Sequence, residues 1–182
     1  MNRLASPAQL RASFVRWALF LVPATLLLGQ LSGLAGSSDD PWFIALDKPA
    51  IYPAPLVFGI VWPVLYALMG FAIAIVCSAW GSRYRLPAIL AFALQLLLNL
   101  AWTPLFFAAH EMTLALVVIA ALDVALVLTI VLFWKVRRNA ALLLLPYLAW
   151  ILFATALNAE ILRLNPEADG AADPGAVQRI EL

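Results

Sequence analysis

Apolar residues fall into five long runs along this chain, each set off by a polar connection. Asp, Glu, Lys and Arg do not occur among residues 17–38, 49–82, 86–110 or 139–159, and residues 112–134 hold only Asp123. A hydrocarbon core roughly 30 Å thick takes about 20 apolar residues of helix, and every run is long enough. The pattern predicts helices over about 14–35, 56–79, 86–108, 112–134 and 140–163. Short later connections make successive helices antiparallel. Pro63, Pro104 and Pro146 fall inside or near the ends of these helices, where neighbours in a membrane bundle can satisfy the released carbonyls. The expected fold class is an all-α membrane protein, a five-transmembrane-helix bundle. Residues 1–13 read as a cytoplasmic segment, 14–165 as the bundle, and 166–182 as a polar, disordered tail.

The charges sort by sign onto alternate connections. Arg3, Arg11, Arg16, Arg83, Arg85, Lys135, Arg137 and Arg138 are eight of the eleven basic residues and share their connections with no acid. Asp39, Asp40, Asp47, Glu111 and the acids of the tail lie on the other side. Basic loops stay cytoplasmic, so the N-terminus is expected inside and the C-terminus outside, in a multi-pass membrane protein. The first run, apolar from Trp17 to about Ala35, exceeds the roughly 7–15 residues of a signal-peptide core, so a retained helix is expected. With 65% hydrophobic and 12% charged residues, against about 25% charged in soluble domains, the lipid bilayer is the chain's main solvent. No basic run suggests nucleic acid. The single cysteine, Cys77, leaves no internal disulfide and no cysteine-based metal site. Phosphate loops, HExxH and nucleophile elbows are absent.

Polar groups in hydrocarbon are costly and turn inward. Residues four apart share a helix face, which groups Trp62 with Tyr66, then Gln95, Asn99 and Thr103 with Trp102 beside them, then Trp150, Ala154 and Asn158 with Tyr147 three before Trp150. Two readings of these stripes stay open. If they converge, they line an apolar cavity with a few fixed hydrogen-bonding groups, the usual make-up of a site for a flat hydrophobic ligand. Otherwise they are interhelical glue and core filler. Gly29 and Gly33 have the spacing of a close helix approach. Asp123 reads as structural or ligand-facing, Glu160 and Arg163 as an interfacial pair, and His110 as a solvated turn residue. The connection 36–55 is long and aromatic, with Trp42, Lys48, Pro49 and Tyr52 as candidate lid residues over the mouth of the bundle. An interfacial anchor is its alternative reading.

Three segments carry a resemblance. They are Trp42-Phe43…Leu46-Asp47-Lys48-Pro49 with Trp62-Pro63-Val64-Leu65-Tyr66, then Asn99-Leu100-Ala101-Trp102-Thr103-Pro104-Leu105-Phe106-Phe107, and Pro146-Tyr147-Leu148-Ala149-Trp150…Leu157-Asn158…Arg163-Leu164-Asn165. In order, spacing and five-span layout the chain resembles the TspO/MBR family, the tryptophan-rich sensory proteins and the mitochondrial translocator protein. The resemblance covers about residues 42–165. It implies a five-helix bundle, often a homodimer, with a pocket under the first connection for porphyrins such as protoporphyrin IX or haem-like molecules, and no required cofactor. Trp62 and Trp150 match the two pocket tryptophans implicated in light-driven porphyrin breakdown in some members. Tyr66, Asn99, Trp102, Phe106 and Ala154 match other pocket or pocket-adjacent positions. The expected function is a sensor or translocator that binds tetrapyrroles. The alternatives are a light-dependent porphyrin-degrading enzyme and a packing scaffold without a small ligand. Two departures stand out. The family's W-x-P-P-x-W reads Ile51-Tyr52-Pro53-Ala54-Pro55-Leu56 here, with both tryptophans replaced by aliphatics. The sterol motif proposed for the last helix lacks its aromatic between Leu157 and Arg163.

Overall fold

The computed structural model describes residues 7–34, 36 and 40–170. Every apolar run folds as helix, since an isolated span in lipid satisfies its backbone groups only by bonding to itself. The elements are α1 (Pro7–Gly33), a short α2 (Pro41–Ala45), α3 (Pro55–Cys77), α4 (Arg85–Thr103), α5 (Met112–Val136), a short α6 (Arg138–Leu142) and α7 (Leu145–Leu164). Among the described residues, five helices are long and apolar enough to cross a membrane: Ala8–Gly33, Pro55–Cys77, Arg85–Ala108, Met112–Val136 and Arg138–Leu164.

The helix boundaries differ from the expected ones where proline intervenes. Pro7 suits a first helical turn, where its missing N–H costs nothing, and α1 begins there rather than at Phe14. Pro104 cannot donate to the carbonyl one turn back, and α4 opens into a single wide π turn, Pro104–Ala108, closed by the Ala109 N–H on the Pro104 carbonyl at 2.9 Å. The Leu100 carbonyl that Pro104 leaves without an intrahelical donor accepts from Ser32 Oγ of α1 at 2.9 Å. Pro146 divides the expected last helix into α6 and α7 for the same reason.

Helix α3 lies at the centre. Half of its apolar window is buried inside the protein, against 17% for α1. Helix α1 packs along α3, α4 along α5, and α5 along α7, while α3 and α7 touch only sparingly. Gly70 allows the α1–α3 crossing, because a Cβ there would stand 2.6 Å from Val22 Cα. Beside it the Thr25 hydroxyl reaches the Tyr66 carbonyl at 2.9 Å. One apolar core, built on Leu65, Met69, Leu122, Leu126, Phe133 and Tyr147, fills the half of the bundle that carries the basic connections. A second core at the acidic end gathers Trp42, Phe43, Leu46, Phe106, Met112, Leu157 and Ile161.

The segment after α7 is ordered as far as Gly170. Pro166–Ala168 form a 3-10 turn, so residues 166–170 are not part of a disordered tail; residues 171–182 lie outside the described ones. His110 is likewise no solvated turn residue. It is 8% exposed, has a φ of 58°, stacks on Trp42 at 4.2 Å and stands 3.8 Å from Asp40. Asp123 accepts a hydrogen bond from Thr155 Oγ1 at 2.9 Å and so joins α5 to α7. Glu160 and Arg163 form the expected pair at 2.9 Å.

Candidate functional site

Where α3 and α7 diverge, aromatic side chains enclose a hollow. Trp62 and Tyr66, one turn apart on α3, have ring centroids 5.7 Å apart and nearly parallel planes. Two contacts fix the Tyr66 ring. Its hydroxyl donates to Asn99 Oδ1 of α4 at 2.6 Å, and its face lies against Gly29 of α1, where a Cβ would come within 2.2 Å of the ring. On the adjoining wall, Trp150 of α7 meets Trp62 edge-on, with centroids 6.4 Å apart. Trp150 also meets Phe58 at 5.6 Å. The indole N–H of Trp150 is buried and has no hydrogen-bond partner among the described residues.

The third wall comes from α4 and its π turn. Trp102 and Phe106 stack at 5.1 Å, and Phe107 packs edge-on against Phe106 at 4.9 Å. The Trp102 indole donates to Asn158 Oδ1 at 3.0 Å. Asn158 in turn donates to the Met112 carbonyl at 3.2 Å, which ties α4, α7 and the start of α5 together. The first connection closes the top with Phe43, 5.0 Å from Phe107, and with Tyr52, 5.6 Å from Phe58. Burial beside these rings pushes the Tyr52 phenol above its ordinary pKa. The enclosed volume is about 470 Å³, within the roughly 300–1,000 Å³ of small-molecule sites.

Of the residues singled out by sequence, Trp62, Tyr66, Trp102, Phe106, Trp150, Ala154, Asn158 and Tyr52 line this cavity. Six others stand elsewhere. Gln95 is wholly buried and does not line the cavity. Asn99 is 3% exposed and sits behind Tyr66, holding its hydroxyl. Tyr147 is fully buried in the basic-end core, a turn below Trp150. Trp42 lies above the cavity, between His110 and Phe106, with its indole donating to the Ala168 carbonyl at 3.2 Å. Lys48 and Pro49 line a separate shallow hollow with Glu160 and Arg163. The Lys48 ammonium closes the end of α2 on the carbonyls of Phe43, Ile44 and Leu46. Burial lowers its pKa from the ordinary value, and the Asp47 charge opposes that shift.

Sequence reasoning passed over the whole α1 wall, Leu26, Gly29, Gln30 and Gly33, together with Phe43, Phe58 and Phe107. The glycine spacing was visible but read only as helix packing. Gly29 does bring a neighbour close, and that neighbour is the Tyr66 ring. Among the described residues no group of three His, Cys, Asp or Glu side chains is placed to hold a metal ion. The arrangement offers flat apolar faces and one unused indole donor, the means to hold a planar guest.

The sequence profile of the TspO/MBR family matches residues 19–164. The tryptophan-rich protein TspO of Chlorobaculum tepidum is 39% identical over 140 residues, covering 74% of this chain and 89% of that protein. The tryptophan-rich sensory protein of Cereibacter sphaeroides is 36% identical over 155 residues, covering 84% of this chain and 96% of that protein. The translocator protein of Homo sapiens is 39% identical over 127 residues, covering 68% of this chain and 75% of that protein.

Proposed function

The chain belongs to the TspO/MBR family of membrane sensor and translocator proteins, and from that premise we propose that it takes up flat, largely apolar molecules of the tetrapyrrole class, such as protoporphyrin IX, in the cavity between α1, α3, α4 and α7. The observation that carries this reading is the wall of Trp62, Tyr66, Trp150, Trp102 and Phe106 around about 470 Å³. Aromatic rings stack on a planar guest with offset or edge-on geometry, each such pair contributing about 0.5–1.5 kcal/mol beyond area burial. The unpartnered Trp150 N–H supplies one directional contact for an acceptor atom on the guest; left empty-handed, a buried donor costs roughly 1–3 kcal/mol.

The test is quenching of tryptophan fluorescence by protoporphyrin IX in detergent or nanodiscs. The Trp62→Ala, Trp150→Ala double variant is expected to bind at least tenfold more weakly. Equal affinity in the two proteins counts heavily against the site. In this reading the basic connections face the cytoplasm of a bacterial cell, so the lid faces outward. Labelling of a single cysteine placed at Ser82, with Cys77→Ala, from one side of sealed vesicles checks that orientation.

A second reading, light-dependent breakdown of the guest, draws on the 6.4 Å separation of the Trp62 and Trp150 rings. That contact puts two oxidisable indoles side by side in the wall that any porphyrin in the cavity would face. Illumination of the complex in air is then expected to bleach the porphyrin faster than in solution, and Trp150→Phe to change the product. Bleaching at the solution rate removes this reading.

A further inference from the structure

The residues after α7 make a set of contacts that the bundle itself does not need. Asn165 ends the helix, and its side chain then turns to the first connection. Its Oδ1 accepts the Asp47 N–H at 2.8 Å and its Nδ2 donates to the Asp47 carbonyl at 2.9 Å. One side chain therefore engages both polar groups of a single lid peptide position, as a neighbouring strand would. Three residues on, the Ala168 carbonyl accepts the Trp42 indole N–H at 3.2 Å. The same segment is anchored below to the bundle. The Asp169 carboxylate accepts the Thr113 N–H at 3.1 Å and the Thr113 hydroxyl. Glu111, at the N-cap position of α5, makes no side-chain cap of its own, so Asp169 caps that helix from a distance of 56 residues in sequence. The Gly170 N–H closes the strap on the His110 carbonyl at 2.9 Å, with Gly170 in the left-handed region at φ 68°.

Residues 165–170 thus bind the lid at two points, Asp47 and Trp42, and the bundle at two others, Thr113 and His110. Between the lid points lie the rest of α2 and, within it, Phe43, which closes the cavity. Any outward swing of Phe43 that opens the cavity on this side must strain or break the Asn165 and Ala168 contacts, because the strap's other end is fixed on Thr113 of α5 and on His110 just before it.

We infer that residues 165–170 act as a strap that pins the lid to the bundle, with Asn165 as the positioning residue, and so set how fast a guest enters and leaves. This rests on the reading of the cavity as a ligand site. The strap touches the lid and not the cavity floor, so its loss speeds entry and exit together and leaves affinity nearly unchanged.

The experiment uses the full chain in nanodiscs, on a Cys77→Ala, Ala154→Cys background that places one thiol in the cavity wall. A hydrophilic maleimide reports access without any ligand, and stopped-flow quenching by protoporphyrin IX, measured on the same strap variants with Ala154 and Cys77 restored, reports entry and exit. Asn165→Ala removes two hydrogen bonds to the lid backbone and is expected to raise the labelling rate and both porphyrin rate constants by roughly tenfold. Trp42→Phe keeps an aromatic ring but drops the bond to Ala168, with an expected gain of about threefold; it decides alone if Asn165→Ala does not fold. Unchanged labelling in the folded variants overturns the strap. Faster labelling with no porphyrin binding in any protein upholds the strap and defeats the ligand reading instead.

Discussion

Substituting alanine for glycine at two positions of α3 separates a packed helix crossing from an open wall. At Gly70 an added Cβ would meet the α1 backbone, 2.6 Å from Val22 Cα and 3.1 Å from the Leu21 carbonyl oxygen, with Thr25 Oγ1 at 2.7 Å. Backbone atoms cannot step aside as a side-chain tip can, so α1 must shift outward. Overpacking of this kind costs about 1–3 kcal/mol. The shift also strains the Thr25 bond to the Tyr66 carbonyl, about 1 kcal/mol for a buried hydrogen bond. Against this, alanine is better than glycine in a helix by about 0.8–1.0 kcal/mol. The balance is about 1–3 kcal/mol of destabilisation, or roughly 2–12 °C in thermal midpoint at the 2–4 °C per kcal/mol typical of this chain length. At Gly59, on the same helix, a Cβ meets nothing within 4 Å. Gly59→Ala therefore keeps the propensity gain alone and is expected to raise the midpoint slightly. Thermal unfolding of both variants in one detergent, followed by tryptophan fluorescence, checks the pair. A Gly70→Ala midpoint equal to or above that of Gly59→Ala refutes the argument from close approach.

Gly29→Ala pushes on the Tyr66 ring rather than on backbone, so it is expected to weaken porphyrin binding more than it lowers the thermal midpoint; titration and melting of one preparation measure both. The Asp123 and Thr155 side chains form a single interhelical hydrogen bond, and a double-mutant cycle with Asp123→Ala and Thr155→Val is expected to give a coupling of about 0.6 kcal/mol, the membrane average, and no more than about 1.7. Burial raises the Tyr52 pKa from its ordinary 10.0, so above pH 10 the folded protein keeps a proton that the unfolded chain has released. Stability supplied by Tyr52 is then complete below pH 10 and falls as pH rises through the higher folded value. Tyrosinate absorbance during an alkaline titration follows this group, and Tyr52→Phe is expected to remove its part of the pH dependence.

The bundle was legible because span length and charge are properties of the chain in one dimension. Helical spacing added one more coordinate, the face. Trp62 with Tyr66, and Trp150 with Ala154 and Asn158, share faces by the four-residue rule and share the cavity in space. Depth behind a face is a different quantity, and spacing does not encode it. Asn99 lies toward the cavity, yet Tyr66 stands between the two, so the amide positions a wall residue and does not form the wall. Tyr147 is three residues from Trp150 and one turn deeper, where the bundle has closed into solid core.

Glycines are illegible in a related way, since a residue without a side chain announces neither what it faces nor what lies against it. Gly29 and Gly33 look alike in sequence, but Gly29 carries the Tyr66 ring while at Gly33 a Cβ would meet nothing within 4 Å. The segment 165–170 was hidden by its composition. Pro, Glu, Ala, Asp and Gly bury little apolar surface, which is the usual mark of disorder. Its order comes from specific partners instead: the Asp47 backbone for the Asn165 amide, the uncapped start of α5 for the Asp169 carboxylate, and the Trp42 indole for the Ala168 carbonyl. None of those partners lies within 50 residues of it in the chain, and no local pattern can report a fit that distant. Such order is also easily undone, since it rests on a handful of hydrogen bonds near water. For the strap proposed above, which releases the lid when a guest enters, such bonds suit better than buried apolar area.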